Sequence, residues 1–361
     1  MKPKLQMVPI QAARGIAVML VMLFHASQMG QKYFEYNFLG VSSLGKSGAY
    51  TFFFALTGYL MYMLYRDRFG QQAEAAPFLV KRLLRVYPLY WLIMIAVVPI
   101  YFMYPAFGLG YEREPSVIIR SMLLWPQAHA PILGVAWSLS YVICFYLVFS
   151  LLFVLREKLA VAVFSSWLSM IVLHALGWIQ VKDTLFLQFL FSEIHLEFFS
   201  GVLVAYLVRR NHIRGNSLIW LLAGAAMYPA LWQLKLRFPN FPYIDLLYTA
   251  GSALILTGVV QWKAAGSRFM KPLAACGDAS YSILLASLPS LSISLKLASA
   301  AHMQRLIGAP ATVALCYIVA LLLCLLVYRW IERPLQAWLK RTLVPASQHK
   351  LSYGKRKAAT P

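Results

Sequence analysis

Apolar stretches of about 20 residues recur along this chain, parted by short polar or basic segments. About 20 apolar residues of helix cross the hydrocarbon core of a bilayer. The pattern therefore predicts spans over 9–28, 47–65, 83–103, 135–155, 159–179, 194–208, 217–234, 244–262, 279–300 and 310–330. The sixth is short, and the apolar run 185–193 offers it an earlier start. Residues 117–125 are too short to cross and belong at the interface or in a re-entrant loop. Since helices satisfy their own backbone in lipid, the expected fold is an all-α polytopic bundle of about ten transmembrane helices. One membrane domain is expected over 1–345, followed by a basic, disordered tail over 346–361.

Composition agrees and adds an orientation. The 361 residues are 61% hydrophobic and 12% charged, against about 25% charged in soluble chains. A net charge of +21 would suit nucleic acid, but the basic residues are scattered through an apolar chain. Of 33 Lys and Arg, 24 lie before Arg14 or at it, in 66–85, 156–158, 209–214 and 263–271, and from Arg329 onward. These are alternate connections, which puts both termini in the cytoplasm and loops 29–46 and 104–134 outside. Cys144, Cys276, Cys316 and Cys324 lie in or beside apolar segments and read as small core residues, not a disulfide or zinc framework. The first stretch lacks a small-residue cleavage site and is expected to be a retained helix.

Two ionisable residues stand out within that first stretch, Arg14 and His25. Eleven residues separate them, roughly 16 Å along a helix and close to three whole turns. Both side chains therefore leave one face, with a cation near one interface and an imidazole well inside. Ionisable groups in a membrane are costly and mark function. A second basic element, FLVKRLLRVYPLYW over 78–91, sets Arg82 and Arg85 three apart on one helix face. Such arginines anchor topology, and they also suit bidentate binding of phosphate, with Arg14 entering the same leaflet.

Local patterns then converge on a family. RGIAVMLVMLFH sets a His eleven after an Arg, and FFALTGYL (53–60) precedes KRLLRVYPLY by about twenty residues. WSLSYVICFYL (137–147) follows LLWPQAHAPILG, and HLEFFSGVLVAYL, GDASYSILL and WIERPL come later in order. Together these resemble the membrane-bound acyltransferase-3 family, in particular its exopolysaccharide-production branch. The resemblance implies a ten-helix fold in the bacterial cytoplasmic (inner) membrane. It also implies transfer of an acyl group, commonly acetyl from acetyl-CoA, to a hydroxyl of an exported polysaccharide or its lipid-linked precursor. On that resemblance His25 matches the essential histidine, and Arg14, Arg82 and Arg85 match the arginines that handle acyl-CoA. Trp137, Ser138, Tyr141, Glu197 and Tyr281 are the candidate acceptor-binding residues. Acyl-CoA is a donor substrate, and no permanent cofactor, metal or nucleic acid is expected.

Three positions depart from the family pattern. Val142 stands where relatives usually carry an acidic residue, and Leu284 and Ser287 where Tyr and His are common. Glu197 reads equally well as a bundle ion-pair partner and as a site residue. Glu193 and His195 would join it in a polar cluster, and Asp278 reads as a helix N-cap. The sequence leaves open whether His25 acts as a general base or carries the acyl group. Two rivals also stand: a transporter or flippase of the same substrates, and a degenerate acyltransferase acting as scaffold for polysaccharide-synthesis partners.

Overall fold

The structure is a computed structural model that describes residues 7–44, 47–181, 184–213, 215–262, 268 and 270–343. The basic tail and the expected domain end at 345 lie outside the described residues. Among the described residues fifteen α-helices follow one another: α1 (Met7–Phe34), α2 (Tyr50–Tyr65), α3 (Ala75–Met103), α4 (Pro115–Met122) and α5 (Trp137–Val154). Next come α6 (Glu157–Ala175), α7 (Leu185–Leu190), α8 (Ile194–Arg209), α9 (Ser217–Arg237) and α10 (Ile244–Gln261). Last are α11 (Met270–Asp278), α12 (Ser280–Ala300), α13 (Met303–Ile307), α14 (Ala309–Val327) and α15 (Arg333–Thr342).

Nine stretches of the described residues are long and apolar enough to cross a membrane. The tenth expected span, α2, has 16 residues, about 24 Å of helix where the hydrocarbon core is about 30 Å. It packs between α8, α10 and α1, and ten of its residues are buried. A helix lined by protein need not match the lipid thickness. Alternating directions put the starts of α1, α3 and α12 at one end, with the finish of α14. This basic end carries Arg14, Arg82, Arg85 and α15.

Several boundaries differ from the hydropathy reading. The helix of the third span begins at Ala75 rather than 83, so Arg82 and Arg85 lie about two and three turns inside α3. The apolar run before the sixth span forms its own short helix, α7, and a turn separates it from α8. Residues 117–125 fall partly in α4. Asp278 is not an N-cap: it is the last residue of α11, and Ala279 caps α12 without a side-chain bond.

Lipid gives little hydrophobic drive between helices, so close backbone approach at small residues does much of the packing. A Cβ on Gly15 would strike the backbone oxygen of Leu273, and one on Gly277 that of Gln11. This pair locks α11 against α1 beside Arg14. Gly58 and Gly201 play the same part between α2 and α8, against Phe198 and Ala55. Aromatic rings fill the core beside that crossing, with Phe145 stacked on Phe198 at 4.3 Å and Phe54 tilted against Phe198 at 4.8 Å.

Candidate active site

At the basic end, three arginines from two helices converge on one phenol. Tyr146, buried in α5, lies within electrostatic reach of Arg14, Arg82 and Arg85. Each arginine has its own support. The Arg82 Nη2 donates to the Tyr65 hydroxyl at 3.1 Å. Its guanidinium stands over Tyr65, Phe78 and Tyr146, at 5.3, 5.8 and 6.0 Å from the ring centroids. Arg14 donates to Gln11 at 2.8 Å and to the Ser280 hydroxyl at 2.6 Å. The Gly15–Gly277 contact makes that second bond possible, because it holds the α11–α12 corner against α1.

Arg85 pairs with Glu332 at 2.8 Å, and the geometry is built by a broken helix ladder. Pro88 lies inside α3 and has no N–H, so the carbonyl of Leu84 loses its helical donor. The Gln336 amide supplies one at 3.2 Å and binds α15 to α3 at this point. Glu332, one turn earlier, closes a π-helical turn over Tyr328–Glu332 that directs its carboxylate inward. There it is fully buried, with one oxygen on Arg85 and the other accepting from the backbone N–H and hydroxyl of Ser282 at 3.1 and 2.6 Å. Arg85 remains 39% exposed. Tyr281 stands 5.7 Å from the Arg85 guanidinium and donates its hydroxyl to the Val86 carbonyl at 2.6 Å. So Arg14, Arg82, Arg85 and Tyr281 are brought together.

His25 lies eleven residues beyond Arg14 on the same helix, half-buried, hydrogen-bonded to Gln28 and edge-on to Phe24 at 5.3 Å. Leu284 and Ser287 lie on α12, which packs along α1. The Ser287 hydroxyl is committed to the Leu284 carbonyl of its own helix at 3.2 Å. Val142 packs against the aromatic core.

The remaining candidates gather elsewhere. Trp137 and Tyr141 line a cavity of about 460 Å³ at the end opposite the arginines, with Trp125, His129, Gln188 and Phe189. Ser138 is not among its lining residues, and its hydroxyl bonds the Val135 carbonyl at 2.9 Å; Ser140 lines the cavity instead. Tyr141 stacks on Phe189 at 4.2 Å and meets His195 edge-on at 5.3 Å. His195 is fully buried among Tyr141, Trp167 and Phe198, with Nε2 at 3.1 Å from the Phe189 carbonyl. Glu197, buried, lies within electrostatic reach of Tyr50 and Tyr228. Tyr228 belongs to a hydroxyl triad with Thr51 and Ser252, closed at 2.6 Å between Tyr228 and Ser252.

The sequence pattern did not point to Tyr146, and it carried Glu332 only within the WIERPL motif. WIERPL did carry a signal for Glu332, since an acidic residue beside an apolar span and a proline is costly unless paired.

Comparison with known proteins adds to this arrangement. The chain is 26% identical over 330 residues to "Exopolysaccharide production protein ExoZ" of Rhizobium meliloti (strain 1021), covering 87% of this chain and 94% of that protein. No solved structure matches. The acyltransferase domain of the acyltransferase-3 family matches residues 9–329, and that match takes in Arg14, His25, Arg82, Arg85 and Tyr281; the chain belongs to this family and is an acyltransferase.

Proposed function

We propose that the protein moves an acyl group, acetyl in the simplest case, from acyl-CoA to a hydroxyl of an exported or cell-surface polysaccharide or its lipid-linked precursor. The observation that carries this reading is the convergence of Arg14, Arg82 and Arg85 on Tyr146, with His25 eleven residues further along the face of α1 that bears Arg14. Arginines bind phosphate oxygens as a rigid fork of donors. The buried Arg82 Nε has no hydrogen-bond partner among the described residues, and the guanidinium of Arg85 is partly open. Both features favour an incoming phosphate. The name of the Rhizobium relative supports a polysaccharide acceptor.

With CoA phosphates on the arginines, the pantetheine arm carries the thioester along α1 toward His25, roughly 16 Å away. The imidazole takes the proton of the acceptor hydroxyl as that oxygen attacks the thioester carbonyl. The C–S bond breaks, the ester forms, and the imidazolium returns its proton to the departing thiolate. In this reading the arginine end faces the cytoplasm, where CoA is found, and the membrane is the bacterial inner membrane.

The test is transfer from radiolabelled acetyl-CoA by purified protein in lipid nanodiscs, paired with the O-acetyl content of surface polysaccharide in cells with and without the gene. Label in a saccharide fraction and loss of O-acetyl groups on deletion are expected. Unchanged polysaccharide together with no transfer in vitro would reject the reading.

A further inference from the structure

The helix that carries Arg14 and His25 carries a third cation on the same line. Lys32 lies seven residues, about two turns, beyond His25 and eighteen, or five turns, beyond Arg14, so all three share one face of α1. Met29, one turn past His25, and Lys32 both line a groove of about 510 Å³ between the far ends of α1, α3 and α12. Lys296 enters the same groove from α12, and Tyr33, Tyr101, Tyr104, Phe107 and Ser292 add to its polar and aromatic lining. Lys296 presses on the face of Phe107, with Nζ 3.3 Å from the ring centroid.

Two ammonium groups are thus held within electrostatic reach of one another, and neither is ion-paired among the described residues. Glu112, within electrostatic reach of the lining residue Tyr101, is buried and accepts the N–H groups of Leu109 and Gly110 at 2.8 to 2.9 Å. This occurs at the end of the bundle that holds few of the chain's basic residues. Lysines at helix ends commonly extend to the interface alone. Two converging on one groove, without a carboxylate between them, make a positive site complementary to an anion.

Depth and shape select the anion. Lys32 lies two residues before the end of α1 and Lys296 four before the end of α12, the level of lipid headgroups. The groove is flanked by the exposed apolar side chains of Ile100 and Ile293, which open it sideways toward lipid. We propose that this groove binds the diphosphate of an isoprenoid-linked saccharide, with Lys32 and Lys296 on the phosphates and the sugars extending along α1 toward His25. The inference rests on the acyl-transfer reading and narrows its acceptor to a lipid-linked precursor. His25 then lies about 10 Å along the axis from the phosphates, so the acylated hydroxyl belongs to a sugar near the lipid end of the saccharide.

Binding can be measured without any donor, on the full chain in nanodiscs, with farnesyl diphosphate as the probe and farnesol as its uncharged control. The wild type should bind the diphosphate at least tenfold more tightly than the alcohol. Lys32→Gln and Lys296→Gln should each weaken diphosphate binding about tenfold, the scale of one charge-assisted hydrogen bond, and leave farnesol binding unchanged. Lys32→Arg and Lys296→Arg, which keep the charge, should retain most of the affinity. Diphosphate affinity untouched by both Gln variants, or lost only on Arg85→Ala, would overturn the proposal and leave the acyl-transfer reading standing. A protein that binds the probe as expected but transfers no acyl group would instead refute that reading.

Discussion

Arg85 and Glu332 form an ion pair of 2.8 Å in which the two partners are unequally placed: the carboxylate is fully buried, whereas the guanidinium is 39% exposed. Removing either partner leaves the other uncompensated, and the cost depends on which one stays buried. Arg85→Ala strands the carboxylate and should destabilise the protein by about 3 kcal/mol. Glu332→Gln leaves a half-open arginine and should cost about 1 kcal/mol. Thermal unfolding in detergent checks the order. CoA affinity separates the two further, since Arg85→Ala should weaken it and Glu332→Gln should preserve it. Equal losses of affinity in the two variants would mean that the pair serves only to join α3 to the end of α14.

Arg82 is held by stacking as much as by hydrogen bonding, between Tyr65, Phe78 and Tyr146. A lysine keeps the charge but loses the planar stack and the fork of donors. CoA binding should therefore fall in Arg82→Ala and recover only partly in Arg82→Lys, and salt should weaken the wild type in the same direction. Full recovery by lysine would reduce the contact to a point charge.

The assignment of His25 as base predicts a loss confined to turnover. General base catalysis contributes about 10²- to 10⁴-fold, so His25→Gln should lower acyl transfer by at least 100-fold while CoA affinity and Tm change little. Gln keeps size and hydrogen bonding, including the contact with Gln28, but has no titrating nitrogen. Transfer at near the wild-type rate in purified His25→Gln protein would end the assignment. Movement of substrate across vesicles that persists in this variant, with no transfer by the wild type, would favour a transporter.

Gly277 tests how the arginine end is assembled. A methyl group there would run into the Gln11 carbonyl, so Gly277→Ala must push α11 away from α1. Overpacking of this kind costs about 1–3 kcal/mol. It also separates Arg14 from Ser280, so CoA affinity should fall with stability. A fully stable Gly277→Ala protein would show that the α1–α11 contact is loose.

The orientation we propose, with the arginine end in the cytoplasm, rests on the distribution of charge and is open to labelling. In a background without the four native cysteines, a thiol reagent added outside should mark Leu109→Cys, at an exposed loop position, and miss Gln72→Cys at the basic end. The reverse pattern would place the arginines outside and remove CoA from consideration.

Hydropathy alone determined the helical class, since a backbone in lipid must satisfy its own hydrogen bonds and long apolar stretches leave helix as the only open solution. Periodicity also put Arg14 and His25 on one face of α1, because spacing within a single helix is local geometry. Pairings between distant stretches are another matter. Arg82 and Arg85 share a helix face in the sequence, yet one is caged by rings from α2, α3 and α5 and the other pairs with Glu332, about 250 residues away. That pairing needs Pro88 to free a carbonyl, Gln336 to fill it and a π-turn to aim the carboxylate, none of which has a hydropathy signature. Asp278 looked like a cap because a polar residue before an apolar run is the usual signal, whereas the Gly15–Gly277 crossing extended α11 through it. Ser138 and Ser140 are indistinguishable by composition, and only the packing of α5 against the loop over 125–134 decided which one faces the cavity. Local spacing and solvent class are written along the chain, while the partners of its charges are set by which helices come into contact.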